Sequence, residues 1–112
     1  MSSRHDYPYL EHILHAVEAI RRSAAGGQER FLANEDAFDA GLRRLHTIAE
    51  STQRLSVELK ERHPEIAWAR IAGFRNRLVH AYVDVDPDLI WSVIQDELPA
   101  LARLASSELG RS

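Results

Sequence analysis

An apolar stripe with steps of three and four residues runs through the middle of this 112-residue chain and limits what the chain can fold into. Its members are Phe38, Leu42, Leu45, Ala49, Thr52, Leu55 and Leu59. Residues at this near-heptad spacing share one face of an α-helix. Asn34, followed by two acidic residues, is suited to cap the start of such a helix. We therefore predict a long helix that begins after Asn34 and runs to about Arg62.

Helical spacing recurs before and after that stripe, whereas no segment has the alternating pattern of a β-strand. A first helix is expected over residues 6–23. The pair Gly26-Gly27, which follows this segment, should end it. A short amphipathic piece should follow over 29–33. Another long helix is expected over 65–81, because apolar residues recur there at helical steps. These segments indicate an all-α protein.

The start of the last helix is marked by Asp86 and Pro87. The aspartate suits the N-cap, and the proline suits the first helical position because its missing N–H has no helical partner there. Pro99 should kink this helix further along. Residues 1–5 and 106–112 are expected to fray. We predict a single domain, built as an antiparallel up-and-down bundle of four to five helices.

Composition excludes several classes of protein. The chain has no cysteine, which removes disulfides, thiolate nucleophiles and cysteine-based metal sites. A net charge of −3 does not favour coating a long nucleic acid. There is no Gly-x-Ser-x-Gly turn and no glycine-rich phosphate loop. No apolar run is long enough to span a membrane and the first residues lack a hydrophobic signal core, so we expect no membrane contact and a cytoplasmic location.

The histidines do not form a recognisable metal-ligand pattern. Di-iron helical bundles use a Glu-x-x-His pair on each of two helices, and no glutamate here is followed by histidine at that spacing. His12 and His15 share a helix, but no second cluster answers them. His46 and His63 are isolated in the same way, so all four are interpreted as residues of solvated helix faces. We predict no metal site and no cofactor.

The arginines fall into two groups. The doublets Arg21-Arg22 and Arg43-Arg44 are interpreted as solvated helix faces that acidic neighbours such as Glu50 balance. Arg70, Arg75 and Arg77, in contrast, share one predicted helix with a histidine and a tyrosine just beyond. This second group is the candidate for chemistry.

The octet from Arg75 to Tyr82 combines a permanent cation, an imidazole and a phenol. Cleavage of a phosphodiester without metal needs one group to move a proton and another to stabilise charge on the phosphate oxygens. His80 suits the first task and Arg75 the second, while Asn76 can orient either of them. The alternative is that the arginine and histidine only oppose the dipole at a helix end. On an ideal helix Arg75 lies about 140° round from His80, so one chain alone makes a loose site.

The octet also resembles a known family. The segment Ile71-Ala-Gly-Phe-Arg-Asn-Arg-Leu-Val-His-Ala-Tyr82, with the downstream tryptophan and Leu98-Pro99, is similar to the HepT-type toxins of the HEPN superfamily. The opening residues from Tyr9 also fit, so the likeness covers nearly the whole chain. It implies a helical homodimer that brings two copies of the Arg-x4-His-x-Tyr motif together in a cleft.

The resemblance further implies a metal-independent ribonuclease, the toxin of a toxin-antitoxin pair, with tRNA as the substrate class. Carried over to this chain, Arg75 and His80 would be catalytic and Asn76 supporting. Tyr82 would be the side chain to which a minimal nucleotidyltransferase antitoxin attaches AMP. Arg77 adds a cation near the expected cleft, which favours contact with RNA.

Two other functions stay open from the sequence. The chain can be a non-catalytic helical partner that supplies the substrate-binding half of a nucleotidyltransferase, or a structural dimeric bundle without a ligand. Phe74, Leu78, Val79 and Trp91 would serve equally well as a dimer surface or a partner surface. Trp68 and Trp91 are interpreted as core or interface anchors and not as platforms on which bases stack.

Overall fold

The computed structural model describes residues 4–79 and 86–111, and all regular structure in these two ranges is helical. The helices are α1 (Tyr7–Ser23), α2 (Gln28–Ala33), α3 (Glu35–Arg54), α4 (Val57–Arg62), α5 (Trp68–Val79), α6 (Pro87–Asp96) and α7 (Leu98–Glu108). The helix α1 packs against α3 and α7, and α3 packs against α5. The prediction of an all-α bundle is confirmed. Within the described ranges, no helix combines the length and the apolar character needed to cross a membrane.

The core is built on the predicted stripes. Leu10, Ile13, Val17 and Ile20 of α1 are fully buried, as the spacing of three and four residues requires. The link after α1 turns at Gly27, whose φ of 100° strongly favours glycine. Phe31 of α2 packs against α3 at Gly41. A Cβ added at Gly41 would lie 2.9 Å from the phenyl ring, so a larger residue there would collide with it.

The long helix predicted to reach Arg62 is interrupted, and that prediction is wrong. Leu55 is extended, with φ −65° and ψ 147°, and Ser56 caps a separate α4. The cause lies far away in the sequence: buried Asp6 accepts hydrogen bonds from the backbone N–H and the hydroxyl of Ser56, both at 2.7 Å. Leu59 is buried beyond the break, so the apolar spacing continues although the helix does not.

Both predicted N-caps are confirmed. The side chain of Asn34 accepts a hydrogen bond from the backbone N–H of Ala37 at 3.0 Å. The side chain of Asp86 accepts hydrogen bonds from the N–H groups of Asp88 and Leu89. These bonds satisfy donors that the first turn of a helix leaves free, and they fix where α3 and α6 begin.

Other helix boundaries differ from the predictions. The helix α5 begins at Trp68 instead of Glu65, and the indole N–H of Trp68 donates to the carbonyl of His63 across the preceding turn. The last helix does not simply kink at Pro99. It is divided at Glu97 into α6 and α7, and Pro99 then lies in the first turn of α7, where a missing N–H is tolerated.

The expected fraying from residue 106 onward is wrong for residues 106–111. The helix α7 continues to Glu108, and the hydroxyl of Ser106 donates to the carbonyl of Arg111. The guanidinium of Arg111 binds the carboxylate of Glu11 on α1. The end of the described chain therefore packs back onto α1.

Candidate functional site

The site is built around Arg75, in the middle of α5. Its side chain is about one-third exposed, and its Nε donates a hydrogen bond to Oε1 of Glu50 on α3 at 2.6 Å. Its Nη1 donates to the side-chain oxygen of Asn76 at 3.3 Å. The guanidinium is thus held by a carboxylate of another helix and by its own neighbour.

Glu50 lies between two basic side chains. Nε2 of His46, one turn earlier on α3, lies 3.4 Å from the same Oε1 that accepts from Arg75. The hydrogen bond from Arg75 holds the pKa of Glu50 below its usual value, although partial burial acts in the opposite direction. Glu50 is therefore ionised at neutral pH, and it forms a charged pair with the arginine.

Arg77 lies on a different flank of α5. Residues two positions apart on a helix are separated by about 200° around its axis, so the side chains of Arg75 and Arg77 diverge. Arg77 and Arg70 both border an open groove of about 310 Å³ between α3, α5, α6 and α7. Arg70 pairs with Glu97 across this groove at 3.1 Å. Arg70 and Arg77 are seven positions apart on α5 and so lie almost on one line of the helix, which is why both border the groove.

His80 and Tyr82, the other two reactive residues of the octet, lie outside the described residues. The described part of α5 extends through Val79 at the backbone and ends just before the histidine. The assignment of His80 as catalytic and of Tyr82 as the modified residue stays a prediction.

The apolar residues considered for a partner surface have different positions. Leu78 is only 3% exposed and belongs to the core, so the interpretation of this residue as part of a dimer or partner surface is wrong. Trp91 packs on Phe31 with ring centroids 5.8 Å apart, and Trp68 also packs against the core. Both tryptophans are therefore core anchors, as predicted. Phe74 is partly buried and lines the groove.

Side chains that could ligate a metal are scattered over the described part of the molecule. In residues 4–79 and 86–111, no group of three or more histidine, aspartate and glutamate side chains is arranged to hold a metal ion. His12 and His15 both lie on α1, and both are exposed to solvent.

Sequence reasoning missed Glu50 and His46 as neighbours of the motif. Glu50 was interpreted as a balance for surface arginines and His46 as a solvated residue. No local spacing links residue 50 with residue 75, because their contact depends on how α3 packs against α5. The one available signal was that both residues lie beside the predicted apolar stripe, Glu50 next to Ala49 and His46 next to Leu45.

The arrangement is suited to binding an anion. A guanidinium held from one side keeps its remaining N–H donors in a fixed plane, and that plane matches the oxygens of a phosphate. A loose surface arginine has to be ordered at the moment of binding. Arg75 is ordered beforehand by Glu50.

Comparison with known proteins agrees with this chemistry. The model of the family described as HepT-like, Ribonuclease HepT-like, matches residues 13–108. A relative from Caldanaerobacter subterraneus subsp. tengcongensis that carries the name RNase is 36% identical over 97 residues, which cover 86% of this chain and 87% of the relative.

A second relative, from Thermococcus cleftensis, bears the name ribonuclease HepT. It is 34% identical over 94 residues, covering 83% of this chain and 86% of its own length. A third, from Methanocaldococcus jannaschii, also carries the name RNase and is 26% identical over 104 residues, or 92% of this chain and 95% of its own length. No solved structure matches. The family match and these relatives favour an enzyme over the non-catalytic adaptor and the structural bundle, and we conclude that the chain belongs to the HepT-like ribonuclease family and is a ribonuclease.

Proposed function

We propose that this ribonuclease is the toxin of a toxin-antitoxin pair and cleaves RNA, with tRNA as the substrate class, in the cytoplasm and without a metal ion. The observation that carries the proposal is the state of Arg75. The first residue of the Arg-x4-His-x-Tyr motif is held by Glu50 at 2.6 Å and retains further N–H donors for a phosphate. An arginine that only opposed the dipole at a helix end would need no such restraint.

The proposed chemistry divides between two side chains. His80 moves the proton of the ribose 2′-hydroxyl or of the leaving oxygen, a task that suits histidine because an imidazole ordinarily titrates near neutral pH. Arg75 binds the non-bridging oxygens and stabilises the charge that develops on them in the transition state. Asn76 supports the arginine through its hydrogen bond to Nη1, and Arg77 adds a cation on a different flank of α5.

A homodimer is part of the proposal. On a regular helix Arg75 lies about 140° round from His80, which is too far for both to reach one phosphate easily from one chain. Two copies of the motif that face each other across a cleft would remove this difficulty, because the histidine of one protomer can work beside the arginine of its partner. This dimer follows the family resemblance and the helical spacing.

Control by an antitoxin completes the proposal. A minimal nucleotidyltransferase that attaches AMP to Tyr82 would place bulk and a negative phosphate two residues from His80. Like-charge repulsion and steric block would then exclude an RNA phosphate from the same cleft. Modification would switch the ribonuclease off without unfolding it.

Incubation of the purified protein with a total tRNA pool and a chelator tests the ribonuclease mechanism. We expect cleavage by the wild type and its loss in Arg75→Ala and in His80→Ala. Arg111→Ala is the matched control, because it removes an exposed arginine whose guanidinium binds Glu11 on α1, away from the motif. RNA left intact by the wild type, or cut equally by the two motif variants, would reject the assignment.

Tyr82→Phe tests the antitoxin part separately. This variant keeps the ring and removes the hydroxyl that would accept AMP. We expect it to cleave RNA at the rate of the wild type and to escape inhibition by catalytic amounts of the antitoxin and ATP. Inhibition equal to that of the wild type would rule out Tyr82 as the modified residue and leave the ribonuclease assignment intact.

A further inference from the structure

The donors of Arg75 are used unequally. Nε is occupied by Glu50, and one N–H of Nη1 is directed to Asn76. Within the described residues Nη2 has no hydrogen-bond partner. The two terminal nitrogens therefore keep N–H groups on the edge of the guanidinium that faces away from Glu50. This edge can grip two oxygens of one phosphate in the bidentate manner typical of arginine.

The restraint on Arg75 comes from a well-fixed helix. Glu50 lies on α3 between Ala49 and Ser51, which are both buried, so its backbone position is set by the core. His46 approaches the same carboxylate oxygen from the preceding turn, at 3.4 Å. The carboxylate is thus bracketed by two basic groups, one on its own helix and one on α5.

Folding stability is a poor explanation for the pair. The side chains of Glu50 and Arg75 are 34% and 31% exposed, and ion pairs with this much solvent contact contribute little to the free energy of unfolding. A carboxylate beside a phosphate-binding cation also repels the phosphate. The pair is therefore unfavourable for raw attraction of RNA, and what it supplies is a fixed orientation of the guanidinium.

We propose that Glu50 is a positioning residue of the ribonuclease: it holds Nε of Arg75 so that the terminal edge of the guanidinium meets the scissile phosphate of the RNA. The inference rests on the proposed role of Arg75 as the phosphate-binding cation. Glu50 itself does not touch the substrate. Its contribution is to order Arg75 before RNA arrives, which lowers the cost of reaching the transition-state geometry.

Single-turnover cleavage of the tRNA pool, measured over a range of protein concentrations, separates positioning from attraction. In Glu50→Ala we expect the maximal rate to fall by about 10- to 100-fold, because a small misplacement of a catalytic group has a cost of that order. The protein concentration that gives half-maximal rate should stay equal or fall, since a negative charge near the phosphate has been removed. Glu50→Gln keeps an oxygen that accepts from Nε, and we expect it to restore most of the rate.

Two controls accompany these variants. Glu61→Ala removes the same charge from an exposed glutamate of α4 and should leave the maximal rate unchanged. Thermal unfolding of Glu50→Ala should occur close to the temperature of the wild type. If Glu50→Ala does not fold, Glu50→Asp takes its place: it keeps the charge, shortens the reach by one methylene, and should also lower the maximal rate.

A maximal rate for Glu50→Ala equal to the wild-type rate would overturn the inference. So would a loss in Glu50→Gln as large as that in Glu50→Ala, because charge and not orientation would then be responsible. Arg75→Ala distinguishes this failure from a failure of the proposed function. If Arg75→Ala is inactive while Glu50→Ala is normal, only the positioning role is wrong; if Arg75→Ala is fully active, the proposed function itself is wrong.

Discussion

In the part of the chain that the structure describes, two clusters combine arginine, histidine and glutamate side chains, and they differ in which hydrogen-bond donors they leave available. The closed cluster contains Arg62, His63, Glu65 and Glu108, and the open cluster contains His46, Glu50, Arg75 and Asn76. In the closed cluster both ring nitrogens of His63 have carboxylate partners, Glu65 at 3.1 Å and Glu108 at 2.8 Å. In the open cluster Arg75 keeps N–H donors on its outer edge.

Burial separates the two clusters as well. The side chains of His63 and Glu108 are 16% and 10% exposed, about half or less of the exposure at Glu50 and Arg75. Arg62 binds the other oxygen of Glu108 at 2.6 Å, so the closed cluster ties α4 and the turn after it to α7. The same residue types therefore hold elements of the fold together in one place and hold a cation with free N–H donors in the other. Residue type alone does not distinguish these uses; the donors that remain free do.

Arginine removal should give the largest contrast between the clusters. We expect Arg75→Ala to lower RNA cleavage by about 100-fold or more, the effect of deleting one group that stabilises transition-state charge. Its melting temperature should stay near that of the wild type, because the lost ion pair is largely solvated. Arg62→Ala should leave cleavage unchanged. A cleavage defect in Arg62→Ala equal to that in Arg75→Ala would erase the distinction.

Histidine removal in the closed cluster should affect stability and not activity. His63→Ala deletes two hydrogen bonds to carboxylates, and we expect the free energy of unfolding to fall by about 1–2 kcal/mol. Denaturant unfolding measures the loss, and RNA cleavage by the folded variant should match the wild type. An unchanged unfolding midpoint would show that the closed cluster does not stabilise the fold.

A smaller effect is expected from pH. Burial alone would lower the pKa of His63, but its hydrogen bonds to Glu108 and Glu65 outweigh burial, and the pKa lies above its usual value. A raised pKa means that protonation stabilises the folded state. This contribution is complete below the unfolded pKa of about 6.5 and is lost as the pH rises through the folded value. The stability difference between the wild type and His63→Gln should therefore shrink as the pH rises from about 6.5 through the folded pKa. A difference that grows over this range would contradict the assignment.

The smallest effect should come from Arg111, which forms a baseline for both clusters. Its pair with Glu11 is about half exposed on both sides. We expect Arg111→Ala to change the free energy of unfolding by less than about 0.5 kcal/mol, as is usual for a solvated ion pair. Thermal unfolding at low and moderate salt measures this. A loss as large as that in His63→Ala would mean that exposure does not rank these interactions.

Local signals in the sequence were sufficient for much of the fold. The helical spacing identified α1 and the face of α3, and the capping side chains of Asn34 and Asp86 are where the sequence placed them. Each of these features depends on residues within one or two turns of each other. The stripe through Leu59 was misleading, because apolar spacing continues across a break that Asp6 imposes from 50 residues away.

The site was harder to predict from the sequence than the fold, because its contacts also join residues that are distant in the sequence. The motif drew attention to Arg75 and Asn76, which do contact each other. Glu50 could not be identified, because its contact with Arg75 depends on the packing of two helices and not on spacing. His63 was interpreted as solvated, yet its partner Glu108 comes from a segment expected to fray. Helical spacing does not reveal contacts between polar residues that are distant in the sequence.

The rate of Arg75→Lys at saturating protein tests most directly whether the oriented guanidinium acts on the phosphate. Lysine keeps the positive charge and removes both the Nε donor that Glu50 holds and the planar fork. We predict a maximal single-turnover rate on the tRNA pool at least about 10-fold below that of the wild type, with folding unchanged. Cleavage by Arg75→Lys at the wild-type rate would contradict it, because charge alone would then be enough.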